Sequence, residues 1–212
     1  MSASVLSLAA TRLVLRFSVE SRADDPLQIC FPHCRNRSSP RPNILWTEGG
    51  GIMGQKDDLL HYFQWGHQEI CKVVEELPEE ALHWRPNDEF NTIAILLQHL
   101  MGAERYWIWE AIGGRTIERD RDAEFVDRPE ITKERLLQAY RSVRETSLQI
   151  LSDMEDDDLE KDCIIVNPDN AKRLLLEGNQ SKRWAIIRHI QHQALHLGHI
   201  HMIRRLYRQQ SV

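Results

Sequence analysis

Residues 182–209 read KRWAIIRHIQHQALHLGHIHMIRRLYRQ. The stretch contains no proline, and its apolar residues recur every three or four positions, a spacing that places them on one face of an α-helix. Ser181, immediately before it, is a residue type that caps helix N-termini by accepting a backbone N–H. The pattern predicts a long last helix over residues 182–209, whose apolar face has to pack against other parts of the chain.

Histidines follow one face of this predicted helix. His192 and His196 are four positions apart, so they lie one turn apart and about 40° apart around the axis. This arrangement allows two imidazoles to bind one metal ion, although such pairs also arise by chance. His189 and His199 flank the same stripe, and His201 points away from it. Because a buried imidazole needs hydrogen-bond partners, a histidine-lined inner face is unusual for packing alone.

Three earlier segments have the same helical period. They cover residues 57–77, 92–112 and 133–154. Pro78 ends the first, because proline cannot continue a helix. Asn91 and Thr132 are candidate N-caps of the second and third, and Gly113 ends the second.

The long connection between the last two helices, residues 159–181, differs from the helical segments. It contains a β-prone stretch, CIIV at 163–166, followed by the turn-forming NPDN at 167–170. These stretches predict a short hairpin-like connection before the last helix. Four helices of roughly 20 residues with one long connection predict an all-α four-helix bundle.

The N-terminal 52 residues have a different composition, with six arginines, no lysine and four acidic residues. They show little hydrophobic periodicity, so we expect either a disordered tail or a mis-annotated start, followed by a bundle domain over residues 53–212. We favour the mis-annotated start, with Met53 as the true first residue. Glu48-Gly49-Gly50 is what a purine-rich ribosome-binding site gives when translated, and Met53 follows a few codons later.

Composition excludes several classes of protein. The chain has a formal net charge of −5 and 28% charged residues, which argues against a general nucleic-acid binder. It contains no apolar run of the roughly 20 residues that a membrane-spanning helix needs. Its four cysteines have no spacing typical of a disulfide framework. We therefore expect a cytoplasmic protein that binds neither membranes nor nucleic acids.

The second predicted helix contains a further candidate ligand. His99 shares an apolar stripe with Leu96, Ala103 and Trp107, so it should point into the bundle, where bundle proteins place their metal sites. The alternative is a core histidine that is hydrogen-bonded by a neighbour.

Several stretches together resemble the DinB/YfiT-like superfamily. They are FQWGH at 63–67, NTIAILLQHLMGAERYW at 91–107 followed by GG, RDRDAEF at 119–125, and HIQHQALHLGHI at 189–200. Members of that superfamily keep a histidine in the second helix and an H-x3-H with a following glycine in the last. The resemblance implies an up-down-down-up four-helix bundle from Met53 to about Leu206.

The resemblance also implies a site and an activity. Carried over onto this chain, the metal triad falls on His99, His192 and His196, with His199 standing where many members have glutamine. The ion would be divalent, zinc or nickel first and iron or manganese next. The implied activity is metal-dependent transfer of a low-molecular-weight thiol to a small electrophile. It assigns no catalytic side chain.

Other residues are candidates for the surroundings of this site. The pocket or the layer behind the ligands would include His67, Glu104, Trp107, His189 and His199. For Glu104 and Trp107, a surface acid and a core indole are the alternatives. Arg119, Arg121 and Glu124 are expected to form a structural charge network in the loop before the third helix.

Two other functions stay open at this point: a non-catalytic, metal-stabilised bundle or interaction module, and a metal-dependent hydrolase. We also expect a homodimer, with exposed aromatic residues such as Trp84 or Trp109 in the contact.

Overall fold

The structure is a computed structural model that describes residues 54–167 and 181–210. The predicted tail, the boundary at Met53 and the second arm of the predicted hairpin lie outside the described residues. Five α-helices follow one another along this part of the chain: α1 Gln55–Glu75, α2 Glu79–Leu82, α3 Ile93–Glu104, α4 Lys133–Ser152 and α5 Lys182–Gln210. The short helix α2 belongs to the α1–α3 connection, so four long helices form the bundle.

The helix starts agree closely with the caps predicted from the sequence. The Thr132 hydroxyl accepts a hydrogen bond from Arg135 N (3.4 Å), and Ser181 Oγ accepts one from Trp184 N (3.2 Å). The predicted cap at Asn91 is wrong by one position. Thr92 caps α3 instead, and its Oγ1 accepts from Ile95 N (3.2 Å) while the side chain is buried.

Helix α3 continues into a π-helical segment, Arg105–Glu110. Backbone bonds of the i to i+5 type mark it: Ala111 N donates to Tyr106 O and Gly113 N to Ile108 O, both at 3.0 Å. Gly114 then adopts a φ of 65°, which a glycine reaches without steric cost, and the helix ends where the sequence predicted.

Side-chain contacts establish the direction of each long helix. Lys56 contacts Met154 and Glu75 contacts Arg141, so α1 and α4 are antiparallel, whereas the contacts of Phe63 with His189 and of Glu76 with Arg204 make α1 and α5 parallel. Glu104 contacts Arg144 and Trp109 contacts Ser147, so α3 and α4 are parallel. His99 contacts His192 and Glu104 contacts His189, so α3 and α5 are antiparallel. Helices α1 and α5 therefore run one way and α3 and α4 the other. The predicted all-α, up-down-down-up bundle is confirmed.

The core has two apolar halves with a polar layer between them. One half surrounds Ile70, Leu97 and Tyr140, and the other surrounds Phe63, Ile108 and Leu151. Between them lie buried polar side chains from all four long helices: His67, Glu104, Arg144, Ser147, His189 and Gln193.

The two described ends of the connection to α5 pair with each other. Asp162 and Ser181 form an isolated antiparallel bridge, and Lys182 N donates to Lys161 O (2.9 Å). Ile164 N also donates to Ala111 O (2.7 Å), which attaches this connection to the end of the π-helical segment. Within residues 54–167 and 181–210, this bridge is the only β pairing. Across the same residues, no helix combines the length and the apolar character that crossing a membrane requires.

Candidate metal centre

Three histidines converge in the groove between α3 and α5. His192 Nε2 lies 3.0 Å from His99 Nε2 and 3.0 Å from His196 Nε2. One possible ligand atom from each residue lies within 4.8 Å of the other two. Among the residues that the structure describes, this is the only group of three or more His, Cys, Asp or Glu side chains close enough to share an ion.

The two helices contribute to the cluster in different ways. His192 and His196 are one turn apart on α5, so the helix alone aligns their rings. His99 reaches them from the antiparallel α3, across 93 positions of sequence. Its side chain is only 6% exposed, whereas His192 and His196 are half-buried, so the cluster is closed on the α3 side and open on the α5 side.

A buried carboxylate supports His99 from behind. Its Nδ1–H donates to Glu124 Oε2 (2.9 Å), and Glu124 accepts from Arg119 Nε (2.7 Å) and Nη2 (3.1 Å). A proton held on Nδ1 leaves the Nε2 lone pair directed at the other two histidines. The predicted charge network of Arg119 and Glu124 is therefore present, and it extends to His99, which the sequence did not indicate. Arg121 lies instead over the Phe125 ring, 5.3 Å from its centroid.

Glu124 reaches His99 by passing directly over Gly102. A Cβ atom built on Gly102 would lie 1.8 Å from Glu124 Oε1 and 2.4 Å from Glu124 Cδ. Any larger residue at position 102 would therefore displace the carboxylate. The sequence shows only a glycine inside a helix, which could have indicated a close approach, but not by which group.

His199 supports a second histidine of the cluster. Its Nδ1 lies 3.3 Å from His196 Nδ1, so one of the two rings donates to the other. This contact leaves His196 Nε2 on the side of the cluster. The predicted position of His199 beside the triad thus agrees with its place in the structure.

The electrostatic surroundings keep these groups in the forms that suit metal binding. Burial, followed by the neighbouring histidines, lowers the pKa of His192 to about 2 and that of His196 to about 4. Both are therefore neutral at ordinary pH, which is the form that binds metal ions. Burial raises the pKa of Glu124, but hydrogen bonds from His99 and Arg119 outweigh it, so the net pKa is lowered and the group is a carboxylate.

A family model described as mycothiol-S-transferase matches residues 58–209. The chain belongs to the mycothiol-S-transferase family. This family is DinB-like, so the resemblance to the DinB/YfiT-like superfamily is confirmed. A DinB-like protein from Bacillus cereus ATCC 10987 aligns with 70% of this chain and 90% of its own, at 17% identity and a TM-score of 0.54, which shows the shared fold. No curated protein matches the chain.

The remaining candidate pocket residues of this family member lie deeper in the bundle. Glu104 Oε2 accepts from Arg144 Nη2 (2.8 Å) and lies 3.4 Å from His189 Nε2. His67 stacks on Tyr140 with ring centroids 4.2 Å apart. These side chains belong to the polar layer of the core.

Trp107 lies in the apolar half of the core beyond this layer. It packs edge-on against Trp184, with ring centroids 5.4 Å apart, and is 4% exposed. The structure thus places His199 next to the triad, and Trp107, Glu104, His67 and His189 inside the bundle.

The two cysteines of the described residues are poor nucleophiles. Cys71 and Cys163 are both buried free thiols. Burial raises the pKa of Cys71, and it raises that of Cys163 to about 11. Since the thiolate is the reactive form of cysteine, neither side chain is suited to attack an electrophile.

Proposed function

We propose that this chain is a metal-dependent thiol S-transferase that acts on small electrophiles. The observation that carries the proposal is the convergence of three imidazole Nε2 atoms, two of them one turn apart on α5, in the groove between α3 and α5, where His192 and His196 are half-buried. The chain's membership of the family described as mycothiol-S-transferase supports the same reaction class.

The donor set fits a divalent ion. Zn–N bonds of 2.0–2.1 Å in a tetrahedral site require ligand nitrogens about 3.3 Å apart. The two Nε2 separations of 3.0 Å are close to this value, and one ligand atom from each of the three histidines lies within 4.8 Å of the others. Three histidine ligands also leave a coordination position for an exogenous group. Zinc and nickel are the first candidates and iron and manganese the next, because three imidazoles do not by themselves select among them.

Each residue has a defined task in this proposal. His99, His192 and His196 bind the ion, and Glu124 holds the His99 ring in position. A bound divalent ion stabilises the thiolate form of a small thiol at neutral pH. Neither cysteine of the described residues supplies this thiol, because both are buried, so a small thiol from solution is the proposed nucleophile.

The reaction is a transfer of sulfur to carbon. The C–S bond forms as the bond between that carbon and its leaving group breaks, and the leaving group departs with the electron pair. The thiol proton is released to solvent. No oxidant or reductant is needed.

The test is metal analysis of the full chain purified without a histidine tag, followed by thiol consumption with 1-chloro-2,4-dinitrobenzene. Mycothiol, a bacillithiol-type thiol and glutathione serve as the thiols. We expect about one divalent ion per chain and thiol consumption that disappears with chelation. Metal without thiol consumption would indicate a metal-stabilised, non-catalytic bundle, and absence of tight metal binding would contradict the proposal.

A further inference from the structure

A small cleft adjoins the metal centre in the groove between α3 and α5. Its volume is about 180 Å³, and His199 forms part of its wall. Because His199 also contacts His196 at 3.3 Å, the cleft lies immediately beside the histidine cluster. Leu96 lines the cleft from α3, three residues and therefore about 4.5 Å along the axis from His99. A molecule bound here would have one end close to the open side of the centre.

The cleft has an apolar wall on one part of its surface. Phe90, Leu96, Met202 and Ile203 are four of the seven residues that line it. An apolar protein cavity of about 150 Å³ is large enough to bind benzene, so this cleft matches a group of about that size. The methionine adds a flexible, polarisable side chain, which adapts to ligands of slightly different shape.

Its polar groups lie at the edge and include no lysine or arginine among the described residues. They are Glu89, Asn91 and His199, of which Glu89 is exposed and negatively charged. An anionic ligand would be repelled by this carboxylate and would find no cation to pair with. A strongly polar thiol would leave its hydrogen-bonding groups against the apolar wall, where unpaired polar groups cost free energy. The cleft therefore suits the electrophile better than the thiol.

We infer that this cleft binds the body of the electrophile, a neutral and mainly apolar group about the size of a benzene ring, with its reactive carbon toward His196. This assignment rests on the proposed S-transferase function. It names the class of substrate: small neutral aromatic or branched aliphatic electrophiles, rather than carboxylates, sulfonates or phosphates.

The assignment can be tested by binding alone, with the full chain in its metal-free form and at low ionic strength. The probes are 4-fluorobenzyl alcohol, 4-fluorobenzylamine and 4-fluorobenzoate, followed by 19F NMR. They share one ring and differ in charge. We expect the alcohol to bind, and the benzoate to bind at least several-fold more weakly. Glu89→Gln should reduce the difference in affinity between the alcohol and the benzoate, because it removes the only carboxylate of the cleft.

Two variants on α5 locate the binding. Met202→Trp fills part of the cleft and should weaken binding of the alcohol at least tenfold. Leu195→Trp is the matched control. Met202 (45% exposed) and Leu195 (57% exposed) are both exposed side chains of α5, but only Met202 lines the cleft. Independently of any variant, amide shifts induced by the alcohol should centre on residues 89–91 and 199–203.

Three outcomes would overturn the assignment: no binding of the neutral probe, equal binding by wild type and Met202→Trp, or amide shifts elsewhere. The metal analysis remains a separate measurement. A chain that binds the alcohol but no ion would contradict the S-transferase proposal and leave the apolar cleft in place. A chain that binds the ion but no neutral probe would contradict the assignment of the cleft and leave the S-transferase proposal in place.

Discussion

At the scale of single residues, the histidine cluster is built in two layers. The inner layer is the set of Nε2 atoms, and the outer layer holds two of the three rings, those of His99 and His196, through their Nδ1 atoms. Glu124 holds His99 at 2.9 Å, and His199 holds His196 at 3.3 Å. Partners of this outer kind set the ring orientation and the tautomer, so their loss weakens metal sites without removing a ligand.

The first prediction concerns the three ligands. His99→Ala, His192→Ala and His196→Ala should each lower the affinity for Zn²⁺ or Co²⁺ by well over tenfold, because two imidazoles hold an ion poorly against competing water. His201→Ala, five residues beyond His196 and off the stripe, should leave affinity unchanged. Competition with a chromophoric chelator measures the affinity. Full metal content in the His192 and His196 variants would place the site elsewhere.

The second prediction concerns the glycine beneath Glu124. Gly102→Ala should displace the carboxylate from His99 and lower metal affinity roughly tenfold to a hundredfold, as loss of such partners does. Gly198→Ala is the matched control, because a Cβ there meets no atom within 4 Å. That variant should keep its affinity and gain about 1 kcal/mol of stability from the higher helix propensity of alanine. Equal affinities for the two variants would exclude the proposed role of Glu124.

At the scale of the helices, the polar layer couples all four of them. Arg144 on α4 donates to Glu104 Oε2 on α3 and, through Nη1, to the carbonyl of Phe63 on α1 (2.9 Å). Its guanidinium also stacks on the Phe63 ring, 3.4 Å from the centroid. The side-chain amide of Gln193 on α5 lies 3.3 Å from Tyr140 Oη, and its oxygen accepts from Arg144 Nη2 (3.1 Å). Burial alone would raise the pKa of Glu104, but the charge of Arg144 outweighs it and lowers that pKa to about 2.

The third prediction concerns this pair. Arg144→Met should destabilise the bundle by about 3–5 kcal/mol, because it leaves the fully buried Glu104 carboxylate without its cation. The double variant Arg144→Met, Glu104→Met should be less destabilised than the single one, since both charges are then removed. Urea unfolding followed by circular dichroism measures the free energies. A double variant as unstable as the sum of the two single variants would mean that the pair is not coupled.

At the scale of the whole molecule, buried neutral histidines control the response to acid. Burial, and then the charge of Arg144, lowers the pKa of His67 from 6.5 to about 3, and burial lowers that of His189. Between pH 6.5 and about 3 the unfolded chain therefore binds more protons than the folded one. The contribution of these two histidines to the free energy of unfolding is therefore complete above about pH 6.5 and is lost as the pH decreases below it.

The fourth prediction follows from that sign. The metal-free protein should lose about 1 kcal/mol for each such histidine one pH unit below 6.5. The loss should begin before the carboxylates titrate. Urea unfolding at a series of pH values measures it, and His67→Gln should reduce the slope between pH 6.5 and 5. A stability that stays constant down to pH 5 would show that these histidines are protonated in the folded bundle.

The fifth prediction concerns association, which we propose as a homodimer. Trp84 and Trp109, the aromatic residues expected in the contact, are partly buried: Trp84 packs on Tyr207, and Trp109 donates to Ser147 Oγ (3.0 Å). The exposed aromatic side chains of α1 are instead Tyr62 (58%) and Trp65 (48%). Trp65→Glu should shift sedimentation at micromolar concentration from dimer to monomer, while Glu69→Lys on the same helix serves as a charge control. Wild type that sediments as a monomer would contradict the dimer.

The sequence alone determined those features that depend on neighbours along one helix. Period-3.6 apolar patterns predicted the long helices within a few residues, and the spacing of His192 and His196 predicted their alignment, because helix geometry relates residues four positions apart. The cap at Thr92 rather than Asn91 shows the limit. Adjacent cap-forming residues compete, and burial of the threonine side chain favours it.

Only the tertiary structure decided the contacts between distant segments. Glu124 lies 25 positions from His99, and it reaches that ring because a loop packs over the bare backbone at Gly102. The sequence leaves Glu104 as either a residue behind the ligands or a surface acid and gives no signal for Arg144, yet packing buries the two together, 40 positions apart. No local rule relates such residues, because their pairing depends on how the helices pack against one another, and a rotation of one helix by a single position would break it.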